Sequence, residues 1–249
     1  MPNTPTNPAA TLDTAHIASL VSLSGLLTVL QLSDSALPTG SFNHSFGMET
    51  YLQRELVHSA DSYVTWATGY LHQVAYTEGL TVRLSQEAAK KNDHEAIVRI
   101  DQLLYASTIP RQIREAGTSM GQRLNDIVAV AVPDTPVLRG YRGAIDNGVC
   151  HGHPAVMFAL AAAAVGVSVY EATTAYLMQL ATSLNQNAIR AIPLGQNAGQ
   201  RVLTELRDII PQLVEVIFSL DEYDLGASPP GLEIAQMQHE TQRARMFMS

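Results

Sequence analysis

Apolar positions along this chain recur at helical spacing, and no run alternates as a half-buried strand would. Tyr63, Trp66, Ala67, Tyr70, Leu71 and Val74 fall three and four apart, the period that lines one face of an α-helix, with Ser59 placed to cap its first turn. A second stripe runs through Val202, Leu203, Leu206, Ile209, Ile210, Leu213 and Ile217, and Pro211 within it predicts a kink or a split. Tyr176, Leu177, Leu180 and Leu184 form a third. Helices are also predicted over residues 16–32, 94–107, 111–132, 155–165 and 233–247, with breaks at Pro110, Pro133, Pro136 and Pro154.

Helix follows helix with short connections, no repeat and no shift of composition. The fold class expected is all-α, a single-domain bundle of about eight to ten helices. Residues 1–14 read as a flexible tail rich in Pro, Asn and Thr. Residues 15–249 read as one domain, whose segment 231–249 is expected to dock.

With 249 residues, 46% of them hydrophobic, the chain can bury a sizeable core without covalent staples. Cys150 is the only cysteine, which excludes an internal disulfide and any zinc site built on paired cysteines, and makes the cytoplasm the expected compartment. No cationic stretch followed by an apolar run marks a signal peptide. The most apolar run, residues 154–169, falls short of the roughly 20 residues a bilayer span requires, so it predicts a buried helix and no membrane partner. The formal charge is −8 and the only lysines are Lys90 and Lys91, so there is no basic stripe for nucleic acid.

Three segments stand out. Residues 33–49, SDSALPTGSFNHSFGME, place Pro38, Gly40, Gly47, two aromatics and His44 between helical stretches. Proline restricts its own φ and its predecessor, and the glycines permit turns other residues resist, so this loop is shaped. It reads either as a packed connector or as a presented recognition loop. Residues 185–200, NQNAIRAIPLGQNAGQ, end one helix before Pro193 and start another after Gly195. They carry Arg190 as their only cation among amides that hydrogen-bond but cannot act as acids or bases. Residues 239–247, HETQRARMF, put Arg243 and Arg245 on an expected short helix, either a solvated terminal turn or a segment that orders on docking.

Together these segments resemble the UreF family of urease accessory proteins. In the loop, Leu37, Pro38, Gly40, Phe42, Ser45, Gly47 and Glu49 fit the family pattern. Arg190, Pro193, Gly195 and Gln196 fit the second motif, and His239, Glu240, Thr241, Gln242, Arg245 and Phe247 fit the closing one. The resemblance runs from about residue 26 to 249. It implies an all-α homodimer that binds the UreD/UreH-type accessory protein, recruits the UreG-type GTPase that delivers nickel, and meets apo-urease. The motif residues, Thr241 and Leu37 set aside, become candidate partner-binding residues. It implies no cofactor of the chain's own, since nickel is handled by the complex and GTP by the partner.

The residues agree that nucleotide chemistry lies elsewhere, because no GxxxxGK[ST] loop is present to cradle phosphates. Arg190 and Arg245 could reach a partner's phosphate or simply dock. Cys150, His151 and His153 form a compact trio suited to nickel, and so to an alternative metallochaperone role. The surrounding Gly148, Gly152 and Pro154 equally describe a turn into the next helix. The other carboxylates, Glu49, Glu78, Asp221, Glu222 and Asp224, are scattered, and no HExxH motif occurs, so no enzymatic activity is expected of the chain.

Overall fold

The computed structural model describes residues 22–249; the expected tail over residues 1–14 and the first part of the helix expected at 16–32 lie outside them. Helices α1 (Leu23–Leu32), α2 (Met48–Gln53) and α3 (Ala60–Val74) come first. A π-helical turn, Ala75–Gly79, joins α3 without a break to α4 (Leu80–Lys90). There follow α5 (His94–Ser107), α6 (Arg111–Ala131), α7 (Pro136–Asp146), α8 (Pro154–Ala164), α9 (Val169–Ala191), α10 (Gln196–Ser219) and α11 (Pro230–His239), with no strand among the described residues.

Local chemistry accounts for most of the boundaries. Ser59 and Ser62 form a reciprocal capping box at the start of α3, and Ser168 and Glu171 do the same for α9. Prolines stand at the first position of α7, α8 and α11, where the missing N–H costs no helical bond. The stripe predicted on α3 is buried at every position from Tyr63 to Val74. Pro211 does not split α10, which runs unbroken from Gln196 to Ser219. Its ring sits on an exposed face while Ile210, Leu213 and Val214 beside it are buried, so tertiary packing holds the helix across the lost bond.

Two apolar clusters make the core. One gathers α4, α5, α7 and α8; α8 is buried on nearly all sides from Ala155 to Ala162, as a helix apolar all round must be. The other gathers α3, the lower part of α9 and α10. Helix α9 passes through both, giving Tyr176 to the first and Leu177, Ala181, Leu184 and Ala188 to the second. Helices α6 and α8 meet closely because Gly121 lacks a side chain: a Cβ there would lie 1.6 Å from the carbonyl oxygen of Gly152.

Candidate functional site

The three segments singled out in the sequence lie far apart along the chain, yet the fold brings parts of all three together. The loop after α1 turns at Gly40 and Gly47, whose φ angles of 89° and 96° belong to the left-handed region that glycine tolerates. At Gly47 a Cβ would also come within 2.8 Å of Gln236 on α11. The loop is two-sided: Pro38 and Phe42 are exposed, whereas residues 44–50 are buried.

Its buried side grips the segment that follows α11. Glu49, in the first turn of α2, is 6% exposed and points into the molecule. Its Oε1 accepts the Met246 N–H at 2.5 Å, while its Oε2 accepts the Phe247 N–H at 3.0 Å and sits 2.9 Å from Nε2 of His239. The main-chain oxygen of Ser249 accepts from the N–H groups of Ser45 and Phe46 and from the Ser45 hydroxyl. Nδ1 of His44 lies 2.8 Å from the Ser249 hydroxyl. Burial, with the nearby Arg123 and His239 charges, lowers the His44 pKa to about 4, so its ring is neutral near pH 7.

Helix α9 holds the loop from the other side. Asn187, fully buried, donates to the carbonyl oxygens of Ser41 and His44. Arg190 donates to the Phe42 carbonyl at 3.0 Å, and its guanidinium lies 4.5 Å from the Phe42 ring and 5.6 Å from that of Phe247. It is thus a tie between loop and tail, engaged within its own chain. Pro193, Gly195 and Gln196 remain exposed on the turn between α9 and α10.

The helix expected over residues 233–247 ends at His239, and Arg243 and Arg245 lie in an irregular segment beyond it. The reason is the Glu49 carboxylate, which takes backbone N–H groups that a helix would have used. Glu240 pairs with Arg111 at 2.9 Å and Gln242 donates to Thr50. Arg243, Arg245, Met246 and Met248 are exposed, as is Phe42 in the loop. The outer face of the loop forms a shallow depression of about 480 Å³ lined by Pro38, Gly40, Phe42 and Gln186 among others.

The candidate residues therefore divide. Ser45, Gly47, Glu49, His239 and Phe247, expected to meet partners, are buried and act as the frame; Pro38, Phe42, Pro193, Gly195, Gln196 and Arg245 are presented. Sequence reasoning missed Asn187 as a tie to the loop and left His44 without a role. The run of uncharged amides in residues 185–200 was the only signal of the first.

The Cys150, His151 and His153 trio is arranged around a residue not singled out beforehand. Asp101 of α5, fully buried, accepts the N–H groups of His151, Gly152 and His153 at 2.6, 3.1 and 3.3 Å and the Tyr141 hydroxyl at 2.6 Å. His153 caps α8 through its Nδ1, and His151 stacks on Tyr105 at 3.4 Å. Cys150 is buried, and desolvation with the Asp101 charge pushes its thiol up to about 12. The three side chains are turned to separate internal tasks. Among the described residues no group of three or more His, Cys, Asp or Glu side chains is arranged to hold a metal ion.

The remaining carboxylates do not converge either. Glu222 pairs with Arg99, Asp221 and Asp224 cap a short turn, and Glu78 sits on the π-helical turn hydrogen-bonded by Thr77. No described helix is long and apolar enough to cross a membrane.

This arrangement, a helical body carrying a folded-back tail and a shaped loop on one face, is that of an all-α protein. Comparison with known sequences makes it specific. The UreF family profile matches residues 57–207. The chain is 47% identical over 224 residues to the urease accessory protein UreF of Arthrobacter sp. (strain FB24), covering 90% of this chain and 96% of that relative. It is 44% identical to the UreF of Paenarthrobacter aurescens (strain TC1), covering 90% and 97%, and 42% identical to that of Corynebacterium efficiens, covering 90% and 96%. The chain belongs to the UreF family of urease accessory proteins.

Proposed function

We propose that this protein is a non-catalytic scaffold for nickel incorporation into urease. As a homodimer it joins the UreD/UreH-type accessory protein, recruits and regulates the UreG-type GTPase, and presents the assembly to apo-urease in the cytoplasm. It carries no cofactor of its own; the nickel is the cargo of the complex and the GTP belongs to the partner. The observation that supports this reading most is the convergence of loop, α9 and tail, with Arg190 between the rings of Phe42 and Phe247.

The chemistry presented there suits docking. Two exposed arginines, flanked by exposed Met246 and Met248, stand out on a chain of net charge −8 and match a partner surface of carboxylates around an apolar centre. The internal use of Arg190 favours a docking role over insertion into a partner's nucleotide site. Buried Glu49 and Ser45 contribute by holding the tail in the form a partner meets.

Co-purification of the chain with the UreD/UreH-type protein and the UreG-type GTPase tests this. Replacing Arg243 and Arg245 together by alanine is expected to weaken the complex at least 10-fold, about 1.4 kcal/mol or more, with an unchanged thermal melt of the free chain. Full retention of both partners by that variant would count against the tail surface. Turnover of GTP by the chain alone would overturn the scaffold reading.

A further inference from the structure

Behind the loop of residues 33–49 lies a small cavity of about 50 Å³, lined by the loop, the π-helical turn, α6, α9 and the start of α8. That is room for roughly three or four water-sized molecules. Glu78, Tyr70, Tyr176, Gln179, Ser183 and His153 contribute polar groups to its wall. Tyr70, Tyr176 and Ser183 are only 5%, 4% and 5% exposed, and none of their hydroxyls has a hydrogen-bond partner among the described residues. The amide oxygen of Gln179 is also buried without a partner. Buried polar groups are seldom left unpaired, so this many around one space point to an occupant that pairs them.

The charge of the wall narrows the choice of occupant. No Lys or Arg lines the cavity, and a second acid, exposed Asp34, lines it on the loop side. Burial raises the pKa of Tyr70 and Tyr176, and the Glu78 charge adds to the rise, so both hydroxyls stay protonated and the field of Glu78 reaches both. Burial lowers the pKa of His153 while the Glu78 and Asp101 charges act the other way, and the ring is neutral near pH 7. The lining therefore carries negative charge and no positive charge.

A divalent transition metal is poorly served there. One imidazole and the carboxylates stand among neutral oxygens, and among the described residues no three His, Cys, Asp or Glu side chains converge on a metal position. What the wall lacks is a compact cation that donates hydrogen bonds. Ammonium brings N–H donors on every side and no lone pair, and its charge strengthens each bond to an oxygen.

We propose that this cavity binds an ammonium ion, with Glu78 supplying the countercharge and Gln179, Ser183, Tyr70 and Tyr176 the neutral acceptors. Because the same wall joins the loop to the π-helical turn and α9, the occupant braces the loop from within. The inference goes beyond the assembly role and is tested on the chain alone.

The melting temperature of the chain is followed in ammonium chloride and in sodium chloride at equal ionic strength. Ammonium should raise it by a few degrees more, and saturably, as a ligand bound only by the folded state does. Glu78→Gln keeps the shape of the side chain and should abolish the difference; Ser183→Ala should raise the half-saturating concentration several-fold. A second measurement needs no substitution: isotopically labelled ammonium should show nuclear Overhauser effects to the ring protons of Tyr70 and Tyr176. An equal response to sodium, or labelled ammonium without those effects, would leave water as the occupant and overturn the proposal. An equal rise in potassium chloride would make the cavity a general monovalent-cation site and overturn the assignment to ammonium.

Discussion

Glu49 and Asp101 do the same thing in two places, and the contrast separates the frame of this protein from its working surface. Each is a buried carboxylate that accepts backbone N–H groups from an irregular segment: Met246 and Phe247 in one case, His151 through His153 in the other. The segment held by Asp101 is anchored at both ends, by α7 before it and α8 after it, and the carboxylate also satisfies Tyr141. The segment held by Glu49 follows the last helix, so no helix anchors its far end; its other ties include contacts to Arg111 and Thr50 and the Ser249 contacts to the loop. Phe247 and Ser249 are its buried residues, and those between His239 and Phe247 are largely exposed. Losing Asp101 should therefore unsettle the core, while losing Glu49 should free a surface.

The largest effect is expected for Asp101→Ala. It strands three backbone N–H groups and a tyrosine hydroxyl in the interior, which should cost about 3 kcal/mol or more of global stability. Denaturant melts should show a lower midpoint at unchanged slope. A loss below about 1 kcal/mol would erase the distinction between the two carboxylates.

Acidification acts on both regions. The folded pKa of His44 is lowered to about 4 from an unperturbed 6.5, and burial lowers that of His153 as well. The unfolded chain therefore binds more protons between these values, so stability is fully present above pH 6.5 and falls as pH drops toward 4. Melts at pH 7 and pH 5 should differ by about 1–2 kcal/mol on account of His44. His44→Gln should remove that share of the slope, leaving the part due to His153.

Glu49→Gln should cost least globally, about 1–2 kcal/mol. Its signature is local: hydrogen exchange at the Met246 and Phe247 amides should accelerate far more than exchange in α8. Equal acceleration in both places would mean that the tail belongs to the same cooperative unit as the core.

Much of this architecture was legible before the fold. The stripe from Tyr63 to Val74, the Ser59 cap and the limits of α5 follow from periodicity and capping, which act over a few neighbouring residues. The turns at Gly40 and Gly47 follow from glycine's access to positive φ. Helices α4 and α7 were not anticipated, and the unbroken path from α3 into α4 passes through a π-helical turn that no local rule announces. Pro211 misled for the same reason, since its cost is local and its compensation is not.

The candidate site shows the same division. The fold brings together the loop, Arg190 and the tail, three segments the motifs singled out, and turns some of their members inward. Glu49, a candidate partner-binding residue, accepts from the tail within its own chain, and the arginines expected on a helix lie on an irregular segment. Asp101 was detectable in principle as an acid on the apolar stripe of Ile97, Ile100 and Leu104, although nothing near it in sequence names its partners.

Helix content, family and the shaped character of residues 33–49 were already contained in the order of amino acids, because propensity, capping and proline or glycine geometry are settled within a turn or two of chain. Which face of that loop turns inward, what a buried carboxylate accepts, and whether an arginine ties or projects depended on groups 50 to 200 positions apart meeting at hydrogen-bond distance. Such encounters exist only once the core has packed, since a buried carboxylate is tolerated only where donors are already waiting for it.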